Sequence, residues 1–269
     1  MSLASLAMYS SPAAVEEATD RLWTYIRDEL RAAGLPEVPD QLDKAVRHDD
    51  AWLRPDLLLS QTCGYPYVRR LRGRVRLVAT PEYEHPGCFG PLKCSFIVVP
   101  KDSRFQTLTD LRGTRAAINS PESNSGTNLF RALIAPHAEN GRFFSAVVET
   151  GSHNASLEYV SNGIADVASI DCITYANILR FEPRAVDGVR IFAETPRGPG
   201  LPYITRAAAT DEELSILRSV LAAIADDRRM DEVRDLLSLR KFSVLEDHDY
   251  QPLLEFEREA ARLGYPDIA

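Results

Sequence analysis

Along the chain, apolar residues fall into two recurring patterns, short continuous runs and stripes at three- and four-residue spacing, with polar turns between them. The first stripe is Val15, Ala18, Leu22, Trp23, Ile26 and Leu30, opened by Ser10-Ser11-Pro12 and closed by Gly34 and Pro36. That spacing and punctuation predict a helix, since Pro suits a first turn and Gly the residue beyond the last. Met1 to Tyr9 ahead of it reads as a first strand. Further strands are predicted at 57–59, at 75–79 and at 95–99, where Ser95-Phe96-Ile97-Val98-Val99 is a run of the kind buried on both faces. Residues 108–113 make a short helical turn and 116–118 another strand. Helix 126–135, strand 146–149, helix 152–162 and strand 165–171 then complete a compact βαβαβ unit. A strand at 189–193 leads into the turn-rich passage 195–203. Thr210-Asp211-Glu212-Glu213 is a capping box for the stripe Leu214, Leu217, Leu221 and Ile224, and a last helix runs from Pro252 to Leu263.

The polar turns carry the candidate chemistry. Ser120-Pro121-Glu122-Ser123-Asn124-Ser125-Gly126-Thr127-Asn128 runs straight into Leu129, Phe130, Leu133 and Ile134. The first backbone N–H groups of a helix have no partner within it, so hydroxyls and a close-approaching Gly at that point can wrap a phosphate-like anion. The same residue types cap any helix, and a plain capping role stands beside the anion cradle. Ser60-Gln61-Thr62-Cys63-Gly64-Tyr65-Pro66 after Leu57-Leu58-Leu59, and Gly151-Ser152-His153-Asn154 after Ala146-Val147-Val148, repeat the arrangement. In open parallel sheets ligands sit beyond the carboxyl ends of strands, so three such turns point to one cleft.

Composition narrows the function without choosing it. The 269 residues, 45% hydrophobic and 26% charged, suit one large or two medium globular domains. A net charge of −8, from 31 Lys plus Arg against 39 Asp plus Glu, argues against nucleic acid and offers no basic face to a lipid surface. Capture of a small anion survives that balance, because it depends on local dipoles. No apolar run reaches the ~18 residues of a membrane span, so no direct membrane insertion is expected. The N-terminus shows no basic leader, so the chain as written is expected in the cytoplasm, or in the periplasm if an export signal was removed. Cys63, Cys88, Cys94 and Cys172 lack metal-ligand spacing, and neither a metal nor a cofactor is expected. Cys88 and Cys94 could pair after export. Cys63, in a turn before a helix, could act as a nucleophile with His153 or His85 as its base.

The Pro- and Gly-rich passages 81–94 and 195–203 suggest paired crossings between two lobes. Residues 1–94 would form the N-terminal part of lobe 1, 95–193 an inserted lobe 2 with the anion loop, and 194–269 the return to lobe 1 with the C-terminal helices. This two-lobed α/β architecture, each lobe a mainly parallel sheet flanked by helices with the ligand cleft between, resembles the type II periplasmic binding proteins. Cys63-Gly64-Tyr65-Pro66, the Ser123 to Asn128 loop, Gly151-Ser152-His153, Gly163-Ile164-Ala165-Asp166 leading to Ile170-Asp171, and Thr195-Pro196 with Leu201-Pro202-Tyr203 look like the phosphate, phosphite and phosphonate branch of ABC-transporter substrate-binding proteins. The resemblance runs from about residue 3 to 240.

It implies a non-enzymatic protein, with no catalytic residue, that closes hinge-fashion on a small phosphorus oxyanion and serves an ABC permease. By the same resemblance Ser123, Ser125, Gly126, Thr127, Asn128 and His153 would hold the oxyanion, His153 as a partly protonated, switchable donor. Asp171 would meet a ligand ammonium in an aminophosphonate binder, or accept a proton from a protonated oxyanion. Tyr9, Gln61, Thr62 and Tyr83 would face them from the other lobe, with Tyr65 and Tyr203 as core or contact residues. Against these stand plain roles, helix capping for His153 and a strand-end turn for Asp171. Two other functions remain open at this level: a cytoplasmic ligand-sensing or effector protein on the same fold, and an enzyme of the pyrimidine-precursor synthase type using Cys63 or His153.

Overall fold

A computed structural model of the chain describes residues 2–269; Met1, the start of the predicted first strand, lies outside them. The strands of its two large sheets are, in chain order, β1 (Leu3–Ser5), β2 (Leu57–Gln61), β3 (Val75–Tyr83), β4 (Ser95–Pro100), β5 (Arg115–Ile118), β6 (Ala146–Glu149), β7 (Val167–Asp171), β8 (Val189–Glu194), β9 (Tyr203–Arg206) and β10 (Leu239–Ser243). The principal helices are α1 (Ala13–Ala32), α2 (Leu129–Ile134), α3 (His153–Ser161), α4 (Cys172–Phe181), α5 (Asp211–Ala223), α6 (Asp231–Leu237) and α7 (Pro252–Arg262). No helix among the described residues is long and apolar enough to cross a membrane.

The chain divides into two compact units. The first comprises residues 2–84, Phe89–Pro91 and Pro199–Asp249. Its sheet has the order β1-β2-β9-β3-β10. β1 runs parallel to β2, with Leu3 beside Leu57, whereas β9 is antiparallel to β2 and β3, and β10 to β3. The predicted stripe of α1 is the face it buries, with Val15, Ala18, Leu22, Trp23, Ile26 and Leu30 inside, packed on α5 and α6. Burying such side chains contributes roughly 1.5–3 kcal/mol each, so the stripe holds the helix in place.

The second unit comprises His85–Cys88, Leu92–Gly198 and Tyr250–Ala269, with the sheet order β8-β4-β7-β5-β6. β5 is parallel to both β6 and β7, as the βαβαβ pattern requires, while β4 is antiparallel to β7 and β8. Both sheets are therefore mixed, not mainly parallel. Parallel neighbours need crossover connections, and β4, β8, β9 and β10 enter their sheets by other routes. The core of the unit gathers Ile97 and Val99 from β4, Ala116 and Ile118 from β5, and Phe130 and Ile134 from α2 against Phe143 and Phe144.

Ala260 and Tyr265 complete that same core, which corrects the expectation that 194–269 returns as one piece to the first lobe. Residues 199–249 do so. The terminal segment stays with the second unit because Tyr265 is fully buried there and the Arg131 guanidinium donates to the Pro266 carbonyl at 2.7 Å. Helix α4, the short α6 and strand β10 were not predicted.

Candidate functional site

In the second unit the hydroxyl-rich loop is the start of a helix, wound more widely than the pattern predicts. Ser123 is extended and caps it, its Oγ accepting from the Gly126 N–H at 3.1 Å. Residues Asn124–Asn128 form a π-helical turn, closed by Asn128 N–H donating to the Ser123 carbonyl at 3.0 Å, before α2 begins at Leu129. A π-turn bonds five residues back, so the N–H groups of its first residues have no partner upstream in the helix, and the helix dipole adds its positive end there. All five residues of the turn are buried.

Their side chains divide by role. Thr127 Oγ1 donates to the Ser120 carbonyl at 2.6 Å, fixing the loop's entry. Asn128 is wholly structural: Nδ2 donates to Asn124 Oδ1 at 3.2 Å and to the Leu253 carbonyl at 3.0 Å, and Oδ1 accepts from Arg131 Nη2 at 2.7 Å. The bond from Asn128 also sets the direction of the Asn124 amide, whose Nδ2 is left buried without a hydrogen-bond partner. An unmade bond of that kind in a buried donor costs about 1–3 kcal/mol, and an anion's oxygen would supply the acceptor. Gly126 is required by a close approach: a Cβ built there would lie 1.9 Å from Asn119 Oδ1.

Ser125 Oγ lies 2.9 Å from His153 Nε2, and its carbonyl accepts from Ser169 Oγ at 2.6 Å. His153 is the first residue of α3, behind Ser152, whose Oγ accepts from Ala155 N–H at 3.1 Å. Burial is the main cause that lowers the His153 ring from 6.5 to about 3, and the positive charge of Lys93 works the same way against a weaker pull from the Ser169 backbone. His153 is therefore neutral at ordinary pH. The partly protonated donor expected from the sequence is replaced by a neutral ring that orients the Ser125 hydroxyl.

Asp171, at the end of β7, caps α4, its Oδ1 accepting from the N–H of Ile173 at 2.9 Å and of Thr174 at 3.3 Å. Its other oxygen is ion-paired with Lys93, and both side chains are buried. The plain strand-end role is thus real, and the cation opposite Asp171 belongs to the chain itself. Sequence reasoning passed over Lys93, Asn119 and Ser169. A signal for the first was present, a lone Lys between Leu92 and Cys94 leading into the most apolar strand of the unit.

In the first unit Tyr9 and Tyr83 come together edge to face, ring centres 5.9 Å apart. Tyr9 also lines a cavity of about 260 Å³ with Leu6, Glu16, Asp20 and Lys44. Gln61 and Thr62 are buried and bonded within the unit: Gln61 Nε2 donates to the Leu201 carbonyl at 3.2 Å, Thr62 N–H to the Pro202 carbonyl at 3.0 Å and Thr62 Oγ1 to the Cys63 carbonyl at 3.2 Å. Tyr65 and Tyr203 are core residues, Tyr203 packed on Phe242 at 5.2 Å and its hydroxyl's pKa pushed up by burial. All four cysteines are free thiols, and the sulfur beside Cys88 is that of Cys172, at 3.7 Å. No cluster of metal-ligating side chains occurs among the described residues.

Comparison with known proteins shows the family through one family model and the fold through solved structures. Residues 5–250 match the family described as ABC transporter, phosphonate, periplasmic substrate-binding protein. A solved binding-protein component of an ABC phosphonate transporter from Pseudomonas aeruginosa aligns with a TM-score of 0.77 at 16% identity, covering 97% of this chain and 87% of that one. PhnD1 from Prochlorococcus marinus, in complex with methylphosphonate, aligns at 0.71 and 18% identity over 92% and 94%. A Xanthomonas citri protein bound to ATP aligns at 0.71 and 18% identity over 98% and 97%. These likenesses establish the two-lobed fold of the type II periplasmic binding proteins. No curated protein matches the sequence significantly.

Proposed function

The chain belongs to the periplasmic substrate-binding proteins of ABC phosphonate transporters, and from that premise we propose that it binds a small phosphorus oxyanion at the Ser123–Asn128 turn and hands it unchanged to a permease. The observation that carries this reading is the Asn124 amide, buried and without an acceptor, at a helix start that carries the positive end of the helix dipole. Ser125, held by neutral His153, and the backbone N–H groups of Ser125 and Thr127 would supply the remaining bonds to the oxyanion, with Gly126 allowing the close approach. Ser123, Asn128 and Asp171, assigned by resemblance to ligand contact, act instead as the frame that fixes this turn and the next helix. Tyr9, Gln61, Thr62 and Tyr83 complete the proposed set from the first unit.

The ion pair of Asp171 with Lys93 favours a ligand without an amine. A ligand ammonium would have to displace a buried lysine from its carboxylate, at a penalty of several kcal/mol for the uncompensated charge. Phosphate, phosphite and simple alkylphosphonates fit this arrangement better than aminoethylphosphonate. Catalysis finds little support: the His153 ring is engaged with the Ser125 hydroxyl, and burial lowers the pKa of His85 beside Cys172. The family works in the periplasm, and we assign this chain the same location after export.

Titration calorimetry with phosphate, phosphite, methylphosphonate, aminoethylphosphonate and sulfate tests the reading, with phosphorus NMR of the recovered ligand. Tight binding of an amine-free phosphorus oxyanion, aminoethylphosphonate at least ~10-fold weaker, and an unchanged ligand are expected. Heat from none of the phosphorus compounds, or a consumed ligand, would overturn it.

A further inference from the structure

Three of the four cysteines meet in the second unit, at a place the binding reading does not use. Cys172 is the first residue of the ten-residue helix α4, with its sulfur 3.7 Å from that of Cys88. Its backbone N–H donates to the Cys94 carbonyl at 3.4 Å, and Cys94 N–H in turn donates to the Gly87 carbonyl at 3.1 Å. Gly87 is what lets the three close in: a Cβ there would lie 2.9 Å from Cys94 Sγ, 2.9 Å from Cys172 Cβ and 3.2 Å from Cys172 Sγ. Its φ of +89° suits glycine besides. Cys94 and Cys172 are fully buried, whereas Cys88 is only half-buried.

We propose that Cys88 and Cys172 are a reversible disulfide site, with Cys94 the third thiol able to take Cys172 in exchange. Cys88 is the point of entry because it alone of the three reaches the surface. The Cys172 sulfur is the resolving nucleophile. It stands at a helix N-terminus and near the Lys93 ammonium, and hydrogen bonds from the Cys88 and Cys94 thiols are the main cause holding its pKa far below the ordinary thiol range. The same bonds push the Cys88 and Cys94 thiols up.

The oxidant is a disulfide, either a small dialkyl disulfide or a protein one. Cys88 sulfur attacks one of its sulfurs, the S–S bond breaks, and the first thiolate leaves while the Cys88 proton passes to the Cys172 sulfur. Cys172 sulfur then attacks the Cys88 sulfur of the mixed disulfide, and the second thiol departs with that proton. Two cysteine sulfurs are oxidised and one disulfide is reduced to a thiolate and a thiol. Closing the pair shortens the sulfur separation from 3.7 Å to about 2.05 Å.

The full-length protein, equilibrated with oxidised and reduced glutathione, alkylated and mapped without reduction, tests the proposal. A linked pair of peptides carrying Cys88 and Cys172, lighter by two hydrogens and released by dithiothreitol, is expected, with Cys63 alkylated throughout. The oxidised protein should melt several degrees higher than the reduced one, since the bond closes a long loop. In C94S the same link persists; in C88S, where a half-buried side chain changes by one atom and the point of entry is lost, Cys94 and Cys172 remain thiols. Any other dominant pairing in the unsubstituted protein, a glutathione adduct on Cys88 that is never resolved, or four alkylated thiols at full oxidant would overturn it.

Discussion

The turn at Ser60–Pro66 and the loop at Ser123–Asn128 share a sequence design, an apolar strand, a run of hydroxyl and amide residues, then a helix start, yet the structure uses them differently. In the first unit the amide and the threonine are engaged within it, and only the Ser60 hydroxyl of the turn is buried without a partner: Gln61 bonds Leu201, Thr62 bonds Pro202 and Cys63, and Trp52 Nε1 donates to the Gln61 carbonyl at 3.1 Å. In the second unit the frame is satisfied by Ser123, Thr127 and Asn128, but the Asn124 amide is left without an acceptor. The lesson is that residue type sets what a turn can bond, and the carbonyls of neighbouring segments decide what remains for a ligand.

The comparison breaks most visibly at Gly126. Gly126→Ala puts a methyl group 1.9 Å from Asn119 Oδ1, so the turn or β5's exit must shift. A displacement of about 1 Å spoils every charge-assisted bond of the cradle at once. We expect phosphonate affinity to fall at least ~100-fold, about 2.7 kcal/mol, by calorimetry, while far-UV circular dichroism stays unchanged. Retained affinity would mean that the turn is only a cap.

Acid should act next, through His153. Its pKa is lowered from 6.5 to about 3, so below 6.5 the unfolded chain takes up a proton that the folded chain refuses. The stability His153 contributes is complete above about pH 6.5 and is lost progressively as pH falls towards 3. Between pH 7 and pH 5 urea unfolding should show the natural protein losing about 2 kcal/mol more than His153→Gln. Equal losses in the two proteins would show that the ring is not held neutral.

What the sequence disclosed follows from how local each feature is. Helix starts were legible because a cap is a bond between near neighbours: Ser123, Ser152 and Thr210 all cap where their patterns place them. α4 was hidden because Cys172-Ile173-Thr174-Tyr175, β-branched and aromatic in character, reads as a continuation of β7, although Asp171 carried the cap signature in plain view. β10 was hidden because Arg240 and Lys241 are exposed in a strand that buries only Leu239 and Phe242. The Lys93 pair with Asp171, the three thiols and the docking of α7 in the second unit's core join residues far apart in sequence, which no window of spacing contains.

A smaller effect sharpens the contrast within the second unit. Ser125→Ala removes the hydroxyl beside His153 but leaves the backbone donors and the Asn124 amide in place. One charge-assisted bond to a ligand is worth about 1.5–3 kcal/mol, so affinity should drop roughly 10- to 100-fold. Unchanged affinity would shift the cradle to backbone and amide alone.

The smallest effect is expected in the first unit. Thr62→Val keeps the shape of the side chain and removes a hydroxyl already donating to the Cys63 carbonyl. That carbonyl loses one bond, and the ligand loses only what an engaged hydroxyl could add as an acceptor. An oxyanion offers few protons to such an acceptor, so the change in affinity should stay near twofold, about 0.4 kcal/mol, and Tm should fall by a few degrees at most. Calorimetry on Thr62→Val and Ser125→Ala side by side reads the asymmetry directly. If Thr62→Val weakened binding as much as Ser125→Ala, the bonds now seen at the first turn would have to break when ligand arrives, and the two turns would be equals after all.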